Sequence, residues 1–233
     1  MCELLHVTAG SIVVADAHRQ IINLAKTVQD RELGPKLIRR LRRYAFHPET
    51  LKDAQDWLQD HPDPTEAPDL EYAERYFIAV WMGRSAKAGT ADELKGKLPV
   101  RWNGSGGDSN VRYRSAVRAL RQWHEIMRRC NFLRMDCFDF LARANDADRH
   151  GIYCDPPFPD AGDAYAHAFA EEDHRRLATC LSAFRKAKVV CRFYEHPLIS
   201  ELYPEPAWTW QRQKGRKQSN AEGAEILITN GKD

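Results

Sequence analysis

The residues best suited to chemistry form a stiff turn, Asp155-Pro156-Pro157-Phe158, which directly follows a short apolar run at residues 152–154. Proline fixes φ and has no N–H, so two prolines end a strand and hold their neighbours rigidly. Asp155 and the carbonyl of Pro156 can accept hydrogen bonds from an amine on a planar ring, and Phe158 offers that ring a stacking face. The alternative is an ordinary strand-ending turn with Phe158 in the core. These four residues alone do not decide between the two.

A second acid in a comparable position is Asp16, which ends a β-branched run at residues 11–16 and precedes a helical apolar pattern. At the tip of a parallel strand, a carboxylate can accept hydrogen bonds from both hydroxyls of a ribose. The alternative is that Asp16 caps the following helix. No strand and glycine-rich loop precede this run, so we expect the chain to begin within its first βαβ unit.

The elements that must position these acids follow an α/β pattern. Beyond residue 130, apolar runs predict strands that alternate with helices, and the last two strands predict an antiparallel hairpin. The predicted strands lie at 131–135, 152–154, 188–194, 208–213 and 225–230, and the predicted helices at 138–144, 173–187 and 198–202. This order indicates an α/β fold whose sheet is mostly parallel and ends in the hairpin.

Residues 33–129 differ in character, since they are helical, basic and poor in strand signals. A basic run at 36–43 shares a helix with an apolar stripe, and such runs usually form a solvated face. Helices are predicted at 70–81 and 111–129. The intervening segment 83–113 carries glycine, lysine and arginine with little apolar periodicity, which suits phosphate contact. The alternative is an insertion without a binding role.

Composition sets broad limits on the protein class. The chain has 233 residues, of which 43% are hydrophobic and 29% charged, as in soluble globular proteins. It shows neither a membrane-spanning run nor a signal peptide, so we expect a cytoplasmic protein. The six cysteines form no C-x-x-C pair, and we therefore predict no metal site and no disulfide framework. The net charge is only +2, but basic residues are clustered in short segments of the sequence.

Taken together and in this order, the motifs resemble those of the Dam-like adenine-specific DNA methyltransferases, which use S-adenosylmethionine. The turn at residues 155–158 is similar to the family's Asp-Pro-Pro-aromatic motif, with Phe in place of the commoner Tyr. Segments 165–178, 194–198 and 225–230 resemble those that follow this motif. Residues 15–23 resemble the ribose-binding strand end. The resemblance extends over essentially the whole chain.

The resemblance implies a Rossmann-like methyltransferase sheet without its first strand. It assigns residues 1–32 and 130–233 to the catalytic domain and 33–129 to a mostly helical target-recognition insertion. The family's glycine-rich loop, which cradles the methionine part of the cofactor, has no counterpart in this chain. The implied catalytic residues are Asp155, Pro156, Pro157 and Phe158, and the implied cofactor-binding residues are Asp16, Asp136, Cys137 and Asp155. The candidate DNA-binding residues are Arg84, Lys87, Arg101, Arg112, Arg114, Lys214, Arg216 and Lys217.

The resulting hypothesis is methyl transfer from S-adenosylmethionine, without a metal, to the exocyclic amine of adenine in double-stranded DNA. Two alternatives remain open. The first is a relative that binds DNA but no longer methylates it, and the second is a methyltransferase acting on RNA. A monomer is expected, and a cognate restriction nuclease is a further candidate partner.

Overall fold

The computed structural model describes residues 9–83, 94–99, 108–159, 169–216 and 222–231, and only the backbone of 214–216 and 222–224. The chain forms two compact units, Met1–Asp136 and Cys137–Asp233. Both combine helices with strands, so the predicted α/β class is confirmed. No helix within the described residues is both long and apolar enough to cross a membrane.

In its described residues, the first unit pairs two short parallel strands with five helices. Strand β1 lies beside β2 in a register that sets Ile12 opposite Cys130 and Asp16 opposite Arg134. The strands are β1 (Ile12–Asp16) and β2 (Cys130–Arg134), and the helices are α1 (Arg19–Gln29), α2 (Leu33–Leu41), α3 (Pro48–Asp60), α4 (Leu70–Met82) and α5 (Ser109–Met127). The predicted strands and the helices at α1, α2, α4 and α5 are confirmed, with ends shifted by a few residues.

Helix α3 is absent from the predicted elements, yet its local causes are clear. Pro48 occupies the first turn, where a missing N–H costs nothing, and the His47 side chain accepts a hydrogen bond from the Glu49 N–H at 3.3 Å. Leu51, Ala54 and Leu58 recur at helical spacing and are buried. Residues 61–69, which form neither helix nor strand, connect α3 to α4.

The part of the second unit that the structure describes contains a four-stranded mixed sheet and three helices. The strand order is β3-β4-β6-β5, in which β3 and β4 are parallel and the remaining pairs are antiparallel. The elements are α6 (Cys137–Arg143), β3 (Gly151–Cys154), α7 (Glu171–Ser182), β4 (Lys188–Tyr194), α8 (Pro197–Leu202), β5 (Thr209–Arg216) and β6 (Glu222–Thr229). The predicted C-terminal antiparallel hairpin is confirmed by β5 and β6.

Strand β4 shows the alternation that organises this sheet. Its residues Val189, Cys191 and Phe193 are fully buried in the apolar core, together with side chains of α7 and β6. The intervening residues, including Arg192, are only partly buried because they point to the opposite face. Arg192 therefore lies on the face of the sheet that is opposite the core.

The predicted end of α7 at residue 187 is wrong, because the helix stops at Ser182. The Asp146 carboxylate accepts hydrogen bonds from the N–H groups of three consecutive residues, Arg185, Lys186 and Ala187, at 2.9, 2.7 and 2.8 Å. These three hydrogen bonds lower the pKa of Asp146, and the bond from Ala187 contributes most. They fix a turn that leads the chain into β4.

The strands of the described residues lie in two sheets, one of two strands and one of four. A single Rossmann-like methyltransferase sheet therefore stays a prediction. The same holds for the domain limits at residues 32 and 130. The observed boundary between compact units falls at Asp136, and helices α2 to α5 share one apolar core with β1, α1 and β2.

Candidate functional site

The turn at Asp155 begins where strand β3 ends. Among the described strands, β3 lies at one edge of the four-stranded sheet, and its last residue, Cys154, lies opposite Cys191 of β4. Residues 155–158 leave the ladder without forming a helix or strand, as the two prolines require. The turn therefore lies at the carboxyl end of a parallel strand pair, as predicted.

Asp155 is ion-paired with an arginine from the neighbouring strand. The Arg192 Nη1 lies 3.4 Å from Asp155 Oδ2, and the Asp155 side chain keeps 43% of its surface exposed. The same guanidinium contacts Glu225 of β6 through two nitrogens, with Nη2–Oε1 at 2.9 Å and Nε–Oε2 at 3.3 Å. Two-pronged contacts between arginine and carboxylate have a fixed geometry. Glu225 thus holds Arg192 in place, and Arg192 contacts Asp155.

The Arg192 guanidinium stays protonated beside the turn. The hydrogen bond to Glu225 raises the pKa of Arg192 above its ordinary value, and the charges of Asp155 and Glu225 add to that effect while partial burial opposes it. An ionised carboxylate only accepts hydrogen bonds. A cation held on one side of Asp155 is therefore compatible with a carboxylate that accepts hydrogen bonds from an amine on its other side. The exposed part of the carboxylate provides the surface that such an amine would reach.

Phe158 is held by side chains of β4. Its ring meets Tyr194 edge-on, with centroids 4.5 Å apart and an interplanar angle of 67°, and lies 6.4 Å from the ring of Phe193. The Arg192 guanidinium carbon lies 5.9 Å from the Phe158 centroid. The side chain packs against the core but stays only partly buried. Arg192 therefore contacts both functional side chains of the turn.

A hydrogen-bonded thiol pair lies at the base of the turn. Cys191 is fully buried, and both its hydrogen bond with Cys154 and its burial raise its pKa well above the ordinary range. Cys191 is therefore a neutral thiol at physiological pH. Cys154 is partly buried and shares this bond.

Two predicted site residues of the first unit, Asp16 and Asp136, lie at the ends of two paired strands. Asp16 Oδ1 accepts a hydrogen bond from the His18 N–H at 2.7 Å, which fixes the turn into α1. The N-cap of α1 is His18, whose ring accepts from the Ile21 N–H at 3.4 Å, so the alternative that Asp16 itself caps the helix is wrong. A carboxylate has further lone pairs, and hydroxyl groups of a ribose can use them. Asp136 is exposed two residues after the end of β2.

The four predicted cofactor-binding residues divide between the units. Asp16 and Asp136 belong to the first unit, at the ends of paired strands. Asp155 and Cys137 belong to the second, where Cys137 is exposed at the start of α6. Their joint role in holding a cofactor stays a prediction. Within the described residues, no three His, Cys, Asp or Glu side chains form a group that could hold a metal ion.

Of the eight predicted DNA-binding residues, two have side chains within the described part of the chain. Arg112 and Arg114 are exposed on α5, and the Arg114 Nε donates to Asn110 Oδ1 at 3.0 Å. Residues outside the described part of the chain are Arg84, Lys87, Arg101 and Lys217, as are the side chains of Lys214 and Arg216.

Arg192 and Glu225 are missing from the predicted site. A signal for Arg192 exists, because it is a charged residue set between the apolar residues Val189 to Cys191 and Phe193, in a strand that leads toward the same sheet edge as Asp155. Glu225 carries no such signal. Only the antiparallel register of β6 against β4, with Leu227 opposite Arg192, brings it alongside.

Neither the models of known protein families nor the curated proteins contain a match to this chain.

Proposed function

We propose that the protein is a DNA methyltransferase that transfers a methyl group from S-adenosylmethionine to the exocyclic amine of adenine. The observation that carries this proposal is the fixed geometry of the turn. One arginine, held by Glu225, contacts both the Asp155 carboxylate and the Phe158 ring. An acceptor and a flat apolar ring at one rigid corner suit a base that carries an amine and has left its stack.

Each group of the turn has one task. The Asp155 carboxylate and the Pro156 carbonyl accept hydrogen bonds from the two amine hydrogens of the adenine. Phe158 provides the stacking face, while Tyr194 supports it from the side. With both hydrogens engaged, the nitrogen lone pair is directed away from the turn. Bound S-adenosylmethionine would supply the electrophile, a methyl group on a positively charged sulfur. As the lone pair bonds to the methyl carbon, the carbon–sulfur bond breaks, S-adenosylhomocysteine leaves, and the surplus proton of the amine is released to water.

Arg192 has a positioning role in this account. The carboxylate of Asp155 is partly exposed, and an unrestrained carboxylate could adopt several rotamers. The guanidinium restricts it on one side and leaves the exposed side for the amine. Holding a reacting group in the correct geometry lowers the barrier, and a misplacement of about 1 Å can cost about a hundredfold in rate.

The proposal is tested by replacing the acid and following methyl transfer from labelled S-adenosylmethionine to duplex DNA. Asp155→Ala removes the acceptor and is expected to lower kcat by at least about a hundredfold. The matched control is Asp148→Ala, which removes an exposed acid from the same unit and should leave kcat unchanged. Circular dichroism verifies that both variants fold.

Substrate choice is tested in the same assay with duplex RNA and single-stranded DNA. Preferential methylation of duplex DNA supports the proposal. Full activity of Asp155→Ala would overturn the role of the turn, whereas activity on RNA alone would overturn the choice of DNA.

A further inference from the structure

Two cysteines lie side by side at the base of the turn. Strands β3 and β4 are parallel, and their register sets Cys154, the last residue of β3, directly opposite Cys191 of β4. The Cys191 thiol donates a hydrogen bond to the Cys154 sulfur. We propose that Cys154 and Cys191 form a redox-modification site, in which a hydroperoxide converts the two thiols into a disulfide. Formation of this bond does not depend on methyl transfer.

The strand pairing brings the two sulfurs within reach of each other. Residues directly opposite each other in a sheet extend their side chains from the same face, and neighbouring strands lie about 4.8 Å apart. A disulfide requires Cα atoms about 4.4 to 6.8 Å apart and side chains that do not diverge. The register provides the first condition, and the hydrogen bond between the thiols provides the second. The pair can therefore be bridged without a change in strand pairing.

The two thiols differ in accessibility, and this difference assigns their order of reaction. Cys191 is fully buried, at 0% exposure, whereas Cys154 is only partly buried. Among the described strands, β3 has a neighbour on one side only, so a small oxidant reaches Cys154 first. The hydrogen bond from Cys191 lowers the pKa of Cys154, although burial and the charge of Asp155 oppose that effect. Since the thiolate is the reactive form, Cys154 reacts first and Cys191 follows.

The reaction balances in two steps. The Cys154 thiolate attacks one oxygen of the hydroperoxide, the O–O bond breaks, and the other oxygen leaves as its anion while the sulfur becomes a sulfenic acid. The sulfur loses two electrons, and the peroxide gains them. The Cys191 sulfur then attacks the Cys154 sulfur, the S–O bond breaks, and the hydroxyl leaves with the Cys191 proton as water. A dithiol reductant restores both thiols.

Each cysteine directly precedes one member of the ion pair at the turn. Asp155 follows Cys154, Arg192 follows Cys191, and the side chains of Asp155 and Arg192 approach to 3.4 Å. A covalent bond between the cysteines alters the spacing of the two strands directly before this contact. Its effect on catalysis rests on the proposed function. Oxidation is expected to lower kcat for methyl transfer about tenfold, since small displacements of reacting groups slow a reaction strongly.

The test treats the reduced full chain with hydrogen peroxide, alkylates the remaining thiols with N-ethylmaleimide and maps the tryptic peptides by mass spectrometry. Trypsin places three cysteines in separate peptides, Cys154 in 150–175, Cys180 in 177–185 and Cys191 in 189–192. Most of the protein is expected to yield peptides 150–175 and 189–192 joined to each other. Dithiothreitol should separate them.

Three variants identify the sulfurs involved. Cys154→Ser should leave Cys191 as a thiol that N-ethylmaleimide alkylates. Cys191→Ala keeps a small apolar side chain in the core and should let Cys154 proceed to sulfinic acid, because the second thiol is missing. The matched control is Cys180→Ser, which removes another partly buried cysteine that packs against the same core and should retain the joined peptides in full. Circular dichroism verifies that the variants fold.

The redox site is overturned if Cys154 and Cys191 both stay alkylatable while the exposed Cys137 is oxidised, or if Cys154 pairs with Cys180 as often as with Cys191. The kcat of the oxidised wild-type protein, measured with and without dithiothreitol, decides the effect on the turn, and an unchanged kcat overturns that effect. If the reduced wild-type protein transfers no methyl group, the proposed function fails, whereas the joined peptides still decide the redox site.

Discussion

Two consecutive residues of β4 place opposite chemistry on the two faces of the sheet. Arg192, on the face opposite the core, contacts two carboxylates, Asp155 and Glu225, so its charge is balanced and its geometry is fixed. Cys191, on the core face, is fully buried and stays a neutral thiol that donates to Cys154. The first arrangement positions an acid for a neutral amine. The second keeps the proton on one sulfur so that the other can react, because burial disfavours the charged form.

After loss of the acid itself, the largest expected effect comes from removing the guanidinium at the turn. Arg192→Met should lower kcat for methyl transfer about a hundredfold, because Asp155 and Phe158 lose their shared contact. The KM for DNA should change little, since Arg192 is assigned no contact with DNA. The matched control is Arg212→Met, which breaks a pair with Glu195 at 3.3 Å on the same sheet. It should leave kcat unchanged.

Arg192→Lys sharpens this test, because it keeps the charge but loses the planar guanidinium. A positioning role predicts an intermediate kcat. If Lys restored full activity, charge alone would matter, and the geometric account of the turn would be wrong.

A smaller effect is expected at Glu225. Glu225→Gln keeps one acceptor for Arg192 but removes the opposing charge, so kcat should fall by less than about tenfold. Because Glu225 acts through Arg192, the double variant Arg192→Met/Glu225→Gln should be no slower than Arg192→Met alone. Multiplying effects would show that Glu225 acts independently of Arg192.

The mildest test uses pH and concerns a buried polar group that packs near the core face of β4. His174 is buried, neither ring nitrogen has a hydrogen-bond partner among the described residues, and burial lowers its pKa. The unfolded chain binds a proton near pH 6.5 that the folded chain refuses, so stability should fall as the pH drops below about 6.5. Neither Arg192 nor Cys191 changes its charge in that range, so neither adds to this pH dependence.

Replacing His174 removes that pH dependence. His174→Phe should stabilise the protein by up to about 2 kcal/mol at neutral pH, because an unsatisfied polar group leaves the core. Denaturation in urea at pH 7 and pH 5.5 measures both effects. The control His150→Leu alters an exposed histidine of the same unit and should retain the pH dependence. A pH dependence that survives in His174→Phe would assign it to another group.

Local patterns predicted the parts of the fold that depend on neighbours in the chain. The apolar periodicity of α4 and the apolar run of β4 are strong, and both elements lie where predicted. The end of α7 was not predictable in this way, because Asp146, about forty residues upstream, fixes it. Periodicity carries no information on such distant hydrogen bonds.

The candidate site was also predictable only where its residues are neighbours in the chain. The acid, prolines and ring of the turn are consecutive, so their residue types alone indicated a rigid corner at a strand end. The partner of the acid comes from β4 and the partner of that arginine from β6, an arrangement set by strand order and register. The pair of Cys154 and Cys191 was likewise not identified as a unit, since it needs the parallel register of β3 against β4.

The most direct measurement of the central claim is the identity of the product. Duplex DNA is incubated with S-adenosylmethionine and the protein, digested to nucleosides and analysed by mass spectrometry. We predict N6-methyladenine with the wild-type protein and with Arg212→Met, and none above background with Asp155→Ala. Methylated cytosine as the sole product, or equal N6-methyladenine from Asp155→Ala, would contradict the account.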